Sequence, residues 1–314
     1  MKVIFMGTPE FAVPCLRALI KEKYEVQAVF TQPDKPKGRG KKLMMPPVKE
    51  LAVLEGIPVY QPTSLKSPES LDIIKELNPD IIIVVAYGQL LPKTILDLPP
   101  FGCVNVHASL LPKYRGAAPI NWVIINGEDK TGITTMYMDV GLDTGDMILA
   151  EELIIGEDET SEELHDKMSQ LGAELLLKTL NQIEKGNAVR VPQNHDESSY
   201  APMMNKELGR IDWNKPAKAI KNLIRGTIPW PAAFTTYKGE VMKIFKCRLE
   251  ASTVEKEAGC VVKVARDGLY ISTGSGLLVI EELQFSGGKR LAVRDFLVGN
   301  QLEEGVILGE AARS

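Results

Sequence analysis

The sequence predicts an α/β protein with a mostly parallel sheet, followed by a small all-β domain. Three observations carry that prediction. Asp80-Ile-Ile-Ile-Val-Val-Ala86 is apolar on both faces, as a central strand of a helix-covered parallel sheet must be. The first 31 residues read strand, turn, helix, strand, a right-handed βαβ unit. Beyond residue 206 the texture changes to short alternating runs separated by Gly and polar turns.

In chain order, Lys2-Val-Ile-Phe-Met6 predicts a buried strand. In Gly7-Thr8-Pro9-Glu10, Thr8 is expected to cap a helix with Pro at its first position, running to about Lys21. Glu25–Thr31 is the second strand. No G-x-G-x-x-G follows the first strand and no acidic residue ends the second, which disfavours a dinucleotide site. Residues 32–47 carry Lys35, Lys37, Arg39, Lys41 and Lys42, five cations in eight residues, interleaved with Pro36, Gly38 and Gly40. No helical or strand period is present, so a long loop is expected. It reads either as a basic arm for a phosphate backbone, where cations displace condensed counterions, or as a solvated loop that touches nothing.

Helices are expected at about 48–55 and 68–77. The 80–86 strand ends in a glycine turn, Tyr87-Gly88-Gln89-Leu90-Leu91-Pro92. The run Gly102-Cys-Val-Asn-Val106 reads as the end of another buried strand and leads into Asn105-Val-His107-Ala-Ser109-Leu110-Leu111-Pro112. Asn105 and His107 are two apart, so on an extended strand both side chains leave the same face. An amide donor and a proton-exchanging imidazole then share one crevice, of the kind that forms at the carboxyl ends of strands in open α/β sheets. The competing reading is a satisfied buried histidine beside an amide that caps a turn.

A helix at 117–127 and a strand at 131–138 follow. In Asp139-Val-Gly141-Leu-Asp143-Thr-Gly145-Asp146 the glycines let the backbone turn sharply around Asp143. Its carboxylate is placed to bond an imidazole or a water, although a plain hairpin loop has the same composition. Next come a strand at 147–153 and a long helix from Thr160 to about Lys185, capped by Thr160 or Ser161 and stopped by Gly186. Residues 187–206 read as a linker, with His195 on its surface. A helix at 216–225 and strands at 233–238, 241–249, 259–265, 268–273 and 277–284 suggest a small, OB-like barrel.

The 314 residues suffice for two domains, and 44% apolar with 25% charged is ordinary for a globular chain. No apolar run reaches about 18 residues, so no membrane span is expected. Cys15, Cys103, Cys247 and Cys260 lack metal or disulfide spacing, which fits a reducing cytoplasm, and with three histidines no metal site is expected. Residues 205–314 carry 17 Lys/Arg against 13 Asp/Glu, +4, leaving 20 against 28, −8, for residues 1–204. A basic C-terminal third suggests an anionic macromolecular partner.

Three motifs in order, Tyr87-Gly-Gln-Leu-Leu-Pro92, Asn105-Val-His107-Ala-Ser-Leu-Leu-Pro112 and Gly141-Leu-Asp143-Thr-Gly-Asp146, resemble the formyltetrahydrofolate-dependent formyltransferase family. Met6-Gly-Thr-Pro-Glu-Phe11, Gly38-Arg-Gly-Lys-Lys42, Arg115-Gly-Ala-Ala-Pro-Ile120 and the C-terminal barrel resemble its branch that acts on methionyl-tRNA. The likeness spans essentially the whole chain. It implies a Rossmann-like catalytic and folate-binding domain at 1–189, a linker at 190–206 and a tRNA-binding OB-like barrel at 207–314. It further implies Asn105, His107 and Asp143 as the catalytic set, and Tyr87, Gly88, Gln89, Leu90, Leu91, Ser109, Leu110, Leu111 and Pro112 as folate contacts. Lys35, Lys37, Arg39, Lys41 and Lys42 become the tRNA-binding cations. The implied reaction moves formyl from 10-formyltetrahydrofolate to the α-amine of methionyl initiator tRNA, in a cytoplasmic monomer that needs neither metal nor membrane.

The alternatives are a formyltransferase of the same family acting on an amino sugar nucleotide or purine precursor, a formyltetrahydrofolate hydrolase, and a non-catalytic RNA-binding protein on an enzyme scaffold. Intact Asn105, His107 and Asp143 speak against the last. The basic arm and the C-terminal domain speak for a tRNA acceptor.

Overall fold

A computed structural model describes residues 1–37, 42–251 and 256–309. They form two units. The first is built from 1–119, 130–154 and 165–201, the second from 120–129, 155–164 and 202–314.

The strands of the first unit are β1 (Lys2–Gly7), β2 (Glu25–Phe30), β3 (Lys35–Lys37), β4 (Lys42–Met44), β5 (Val59–Tyr60), β6 (Ile81–Val85), β7 (Cys103–His107), β8 (Arg115–Gly116), β9 (Lys130–Tyr137), β10 (Met147–Ile154) and β11 (Tyr200–Ala201). Its main sheet has the order β10-β9-β7-β6-β1-β2-β5. Strands β5, β2, β1, β6 and β7 are parallel, whereas β9 runs antiparallel to β7 and β10 antiparallel to β9. Helices α1 (Val13–Lys21), α2 (Pro47–Leu54), α3 (Pro68–Leu77) and α4 (Lys93–Leu96) lie in this unit, as does α6 (Ser161–Glu184) from His165 onward, whereas α5 (Pro119–Ile125) belongs to the second unit from Ile120. The inner strands β6 and β7 are buried along their whole length, β6 as an unbroken apolar run and β7 with Asn105 and His107 among its buried residues.

The chain order reverses between β1 and β6, the point where open α/β sheets usually bind ligands. Here the crevice is filled by the protein's own loops. Thr8 Oγ1 donates to the Tyr87 carbonyl at 2.9 Å and accepts from Gln32 N at 3.2 Å, and Gln32 Nε2 reaches the same carbonyl at 3.2 Å. This corrects the expected role of Thr8. The helix opens instead with a short 3-10 turn, Glu10–Ala12, without a side-chain cap, because the threonine hydroxyl is engaged across the sheet.

The expected 32–47 loop contains a short ribbon. β3 and β4 pair antiparallel, Lys35 with Met44, Pro36 with Leu43 and Lys37 with Lys42. Three-residue strands are too short to leave a period in the sequence. The root of the ribbon is anchored by Asp34, which takes Lys49 Nζ at 2.8 Å and Gln61 Nε2 at 2.8 Å. Arg39 and Lys41 lie outside the described residues.

The expected 190–206 linker differs most. Residues up to 201 belong to the first unit and those from 202 to the second. β11 lies parallel to β8, and Ala201 O accepts from Ala117 N at 2.9 Å. Its polar, Pro-containing composition satisfies backbone groups of the 114–118 loop rather than water.

The second unit is dominated by antiparallel strands: β12 (Ala233–Tyr237), β13 (Glu240–Glu250), β14 (Val261–Ala265), β15 (Gly268–Ser272), β16 (Leu277–Phe285) and β17 (Leu291–Ala292). The order is β12-β13-β16-β15-β14, with β17 beside β16. Among the described residues no ladder joins β12 to β14. Isolated bridges reach these edges, Arg210 to Phe234 and Cys260 to Ile307. Helices α7 (Ala217–Gly226) and α8 (Val293–Phe296) complete the unit. Its core gathers Ile220, Ile224, Ile244, Leu269, Ile271, Leu278, Ile280 and Leu283, all essentially buried, and Trp213 donates to Thr235 Oγ1 at 3.0 Å within it.

All four cysteines are free and buried, and burial pushes the thiols of Cys15, Cys103 and Cys247 up to about 12, so they act as packing groups. Among the described residues no helix is long and apolar enough to cross a membrane.

The start of α6 carries a capping box. Glu163 N donates to Thr160 Oγ1 at 3.3 Å, and the Glu163 carboxylate accepts from Thr160 N at 2.9 Å. Thr160→Ala should therefore lower unfolding free energy by about 1 kcal/mol. Urea denaturation measures this, and an unchanged midpoint would show that the box contributes nothing.

Candidate functional site

The site is built on β7. Val104 and Val106 point to one face of the sheet, and a Cβ at Gly172 of α6 would come within 3.2 Å of Val106. Cys103, Asn105 and His107 point to the other face, as the two-residue period requires. Asn105 and His107 are 9% and 6% exposed. The carboxylate of Asp143 joins them from the loop between β9 and β10. Its Oδ1 lies 3.4 Å from Asn105 Nδ2 and its Oδ2 lies 3.7 Å from His107 Nδ1. The structure thus brings together the three residues singled out in the sequence.

Two of the three, His107 and Asp143, are held by the backbone around them. His107 Nε2 lies 3.0 Å from the Tyr114 carbonyl, an acceptor only, so Nε2 carries the hydrogen. In the neutral ring the lone pair is then on Nδ1, the nitrogen that faces Asp143. The tautomer is fixed by Tyr114, and Asp143 is left to interact with whatever proton arrives at Nδ1. Asp143 Oδ2 also accepts from Gly116 N at 2.8 Å.

Asp143 itself has φ +54°, a left-handed conformation that costs a non-glycine residue free energy. The neighbouring glycines allow the turn around it. A Cβ at Gly145 would overlap the Tyr137 carbonyl, so only glycine fits there.

The loop after β7 is fixed by a second set of bonds. Ser109 Oγ donates to the Lys113 carbonyl at 2.7 Å, while Thr134 Oγ1 donates to the Ser109 carbonyl at 2.7 Å and accepts from Leu111 N at 3.1 Å. Ser109 and Leu111 are buried, and Leu110 and Pro112 are half-buried. On the Tyr87–Leu91 turn, Gln89 is spent on the 62–65 segment, donating to Pro62 O at 3.0 Å and accepting from Leu65 N at 3.1 Å. Leu90 is exposed and Gly88 has φ +87°. The Tyr87 ring is 1% exposed, in a core with Leu91, Ile95 and Cys103. Any folate contact from Tyr87 therefore comes from its backbone.

Beside the start of β7 lies a cleft of about 360 Å³, lined by Lys93, Leu96, Asp97, Gly102, Cys103, Tyr137, Met138, Asp139, Val140 and Arg190. Most of these residues carry no chemical signal in a sequence. The apolar members, Leu96, Cys103, Met138 and Val140, are brought together only by the pairing of β7 with β9. Arg190 lies over the Tyr137 ring at 3.7 Å from its centroid. Among the described residues no group of three or more His, Cys, Asp or Glu is placed to hold a metal ion.

Sequence reasoning also missed the residues that support the site from 193–201. Gln193 Nε2 donates to the Asp143 and Gly145 carbonyls at 2.9 and 2.8 Å, and its Oε1 accepts from Arg115 Nε at 3.0 Å and from a terminal nitrogen at 2.6 Å. His195, expected on a linker surface, has Nδ1 3.2 Å from the Arg115 guanidinium. Arginine only donates, so that nitrogen must accept.

Two family models match the chain: "Formyl transferase" over residues 1–180 and "Formyl transferase, C-terminal domain" over 203–301. It is 60% identical to a methionyl-tRNA formyltransferase of Alkaliphilus oremlandii, over 99% of this chain and 100% of that protein. Against one from Clostridioides difficile the identity is 58%, over 98% and 100%. Among solved structures, an N-formyltransferase from Helicobacter canadensis in complex with folinic acid and dTDP-3-aminofucose superposes with a TM-score of 0.70 at 21% identity, covering 93% of this chain and 100% of that one. HypX from Aquifex aeolicus in complex with tetrahydrofolic acid superposes with a TM-score of 0.64 at 18% identity, covering 95% of this chain and 47% of that one. At these identities the two structures establish the fold alone.

The Tyr87 hydroxyl is buried without a hydrogen-bond partner among the described residues, and burial pushes its pKa up to about 12. Tyr87→Phe should leave stability unchanged or raise it by up to about 1–3 kcal/mol, the cost of an unsatisfied buried donor. A clear fall in the urea midpoint would mean that the hydroxyl is bonded.

Proposed function

The chain belongs to the formyl transferase family, and on that premise we propose that it transfers the formyl group of 10-formyltetrahydrofolate to the α-amino group of methionyl initiator tRNA. The convergence of Asn105, His107 and Asp143 on one buried strand end carries this reading, in a chain 60% identical to a methionyl-tRNA formyltransferase. The product, N-formylmethionyl-tRNA, serves translation initiation. The enzyme is read as a cytoplasmic monomer. It requires no metal because its acyl donor is already activated.

The residues divide the chemistry as follows. The amine attacks the formyl carbon, a C–N bond forms, and the formyl oxygen takes up negative charge. Asn105 offers an amide N–H to that oxygen, a contribution of roughly 10²–10³ in rate for such a donor. His107 is pinned through Nε2, so it takes the amine proton at Nδ1. Asp143 Oδ2, 3.7 Å away, then stabilises the imidazolium. The carbon–N10 bond breaks, N10 receives a proton, and tetrahydrofolate leaves.

The cleft beside β7 supports a place for the donor's flat bicyclic ring, between Leu96, Cys103, Met138 and Val140. Backbone groups of Tyr87–Leu91 and Ser109–Pro112 are proposed as further donor contacts. For the tRNA, the cations at 35–42 form the first contact and the second unit the other. Within that unit Lys263 lies 4.9 Å from the Tyr270 ring centroid and Arg290 4.7 Å from that of Phe245, pairings of cation and ring suited to nucleic acid.

Incubation with labelled 10-formyltetrahydrofolate and a panel of charged tRNAs, glycinamide ribonucleotide and amino sugar nucleotides tests the reading. Label is expected on methionyl initiator tRNA. Transfer to an amino sugar or to glycinamide ribonucleotide instead would select a different branch of the family. In the same assay His107→Ala should cut turnover by roughly 10²–10⁴ and Asn105→Ala by roughly 10²–10³. Near wild-type turnover in either would remove it from the catalytic set.

The acceptor assignment has its own signature. The logarithm of tRNA affinity should fall against the logarithm of salt with a slope of about −0.7 to −0.9 per phosphate neutralised. The triple variant Arg39→Ala, Lys41→Ala, Lys42→Ala should show a shallower slope and weaker tRNA binding at unchanged donor affinity. An unchanged slope would leave these three cations with no role in RNA binding.

A further inference from the structure

We infer that Gln193 is the positioning residue for the Asp143 carboxylate, and that Arg115 sets the orientation in which Gln193 does this. The inference rests on the reading of Asp143 as a catalytic group.

Gln193 is 7% exposed, and both ends of its amide are fully engaged. Its orientation is forced by its partners. Arg115 only donates, so the atom facing it at 2.6 and 3.0 Å must be the oxygen. The Asp143 and Gly145 carbonyls only accept, so the atom facing them at 2.9 and 2.8 Å must be the NH₂. One amide therefore joins two carbonyls of the turn to a buried guanidinium. Those carbonyls belong to the residue held at φ +54°, the strained point of the loop, and to the glycine two positions after it. Without the two donated bonds the turn around Asp143 would be free to relax, and the carboxylate would move relative to Asn105 and His107.

The other end of Arg115 ties this bond set to the histidine. Arg115 N donates to the Ser199 carbonyl at 2.9 Å, and Tyr114 N donates to Ser199 Oγ at 2.9 Å. Tyr114 is the residue whose carbonyl fixes the His107 tautomer. The segment 193–201 thus supports both titratable members of the site, the carboxylate through Gln193 and the imidazole through Tyr114.

The test separates positioning from mere packing by the chemistry of the substitution. Gln193→Glu keeps the shape and the acceptor for Arg115 but places an oxygen against the two carbonyls. Gln193→Met keeps the volume and loses both functions. If Gln193 positions Asp143, both variants should lose about 10- to 100-fold in kcat, with KM for donor and tRNA little changed. If it only anchors Arg115, Gln193→Glu should match wild type while Gln193→Met falls, and the inference is overturned.

Asp143→Asn and the double variants complete a cycle. Asp143→Asn should itself be impaired, and adding Gln193→Glu or Gln193→Met to it should cost little more, because the group being positioned is already altered. Losses that multiply would show that Gln193 acts independently of Asp143, which also overturns the inference. Wild-type turnover in Asp143→Asn would overturn the catalytic reading of Asp143 and this inference with it, an outcome distinct from the failure of Gln193 alone. Should Gln193→Glu not fold, Gln193→Met with its double variant still decides the coupling.

Discussion

Strand β9 runs antiparallel to β7, and most of the candidate site follows from that reversal. A strand's exit loop begins at its carboxyl end. For β9 that end lies beside the start of β7, where Met138 N donates to the Cys103 carbonyl at 2.8 Å. Asp143 can reach Asn105 and His107 only if the loop doubles back along β7 by two to four residues, roughly 7–13 Å at about 3.3 Å per residue. The returning stretch cannot take part in the sheet ladder, so its carbonyls need other partners. The Gln193 amide answers that need for the Asp143 and Gly145 carbonyls, and Tyr137 N for that of Asp146. The cleft beside it is the space left between the doubled-back loop and the start of β7.

The same reversal explains why the candidate site lies away from the point where the sheet changes direction. Between β1 and β6 the loops close on each other through Thr8, Gln32 and Tyr87. The open strand end is one place further along, at β7, where the next strand contributes no carboxyl-end loop of its own. The buried amide and imidazole there are met by the Asp143 turn and the Tyr114 carbonyl instead of a neighbouring βα turn.

The sequence carried the α/β class because β6 and β7 are apolar runs without polar interruption until Asn105. It also carried the pair Asn105 and His107, since a period of two is local information. Asp143 was legible through its glycines, although its left-handed backbone and its distance to His107 were not. The cap at Thr8 was misread because a threonine before Pro9 looks the same whether its hydroxyl serves the helix or a carbonyl 79 residues away. Gln193 and Ser199 went unread for a related reason. Polar residues between prolines have the composition of a linker, and only their partners, 78 and 85 residues back in the chain, distinguish a support from a spacer. The cleft residues Leu96, Cys103, Met138 and Val140 have ordinary core chemistry, and nothing local marks them as lining an opening.

The long separation between Arg115 and Gln193 also has a consequence for the order of synthesis. On the ribosome the strands that bear Asn105, His107 and Asp143 emerge well before residues 193–201 do. Until that later stretch has left the exit tunnel, the Asp143 turn lacks its two amide bonds and Tyr114 lacks the Ser199 hydroxyl. A nascent chain can thus hold Asn105, His107 and Asp143 in a formed sheet and loop and still lack the bonds that fix their geometry. The last piece of the first unit to be translated is the one that completes it.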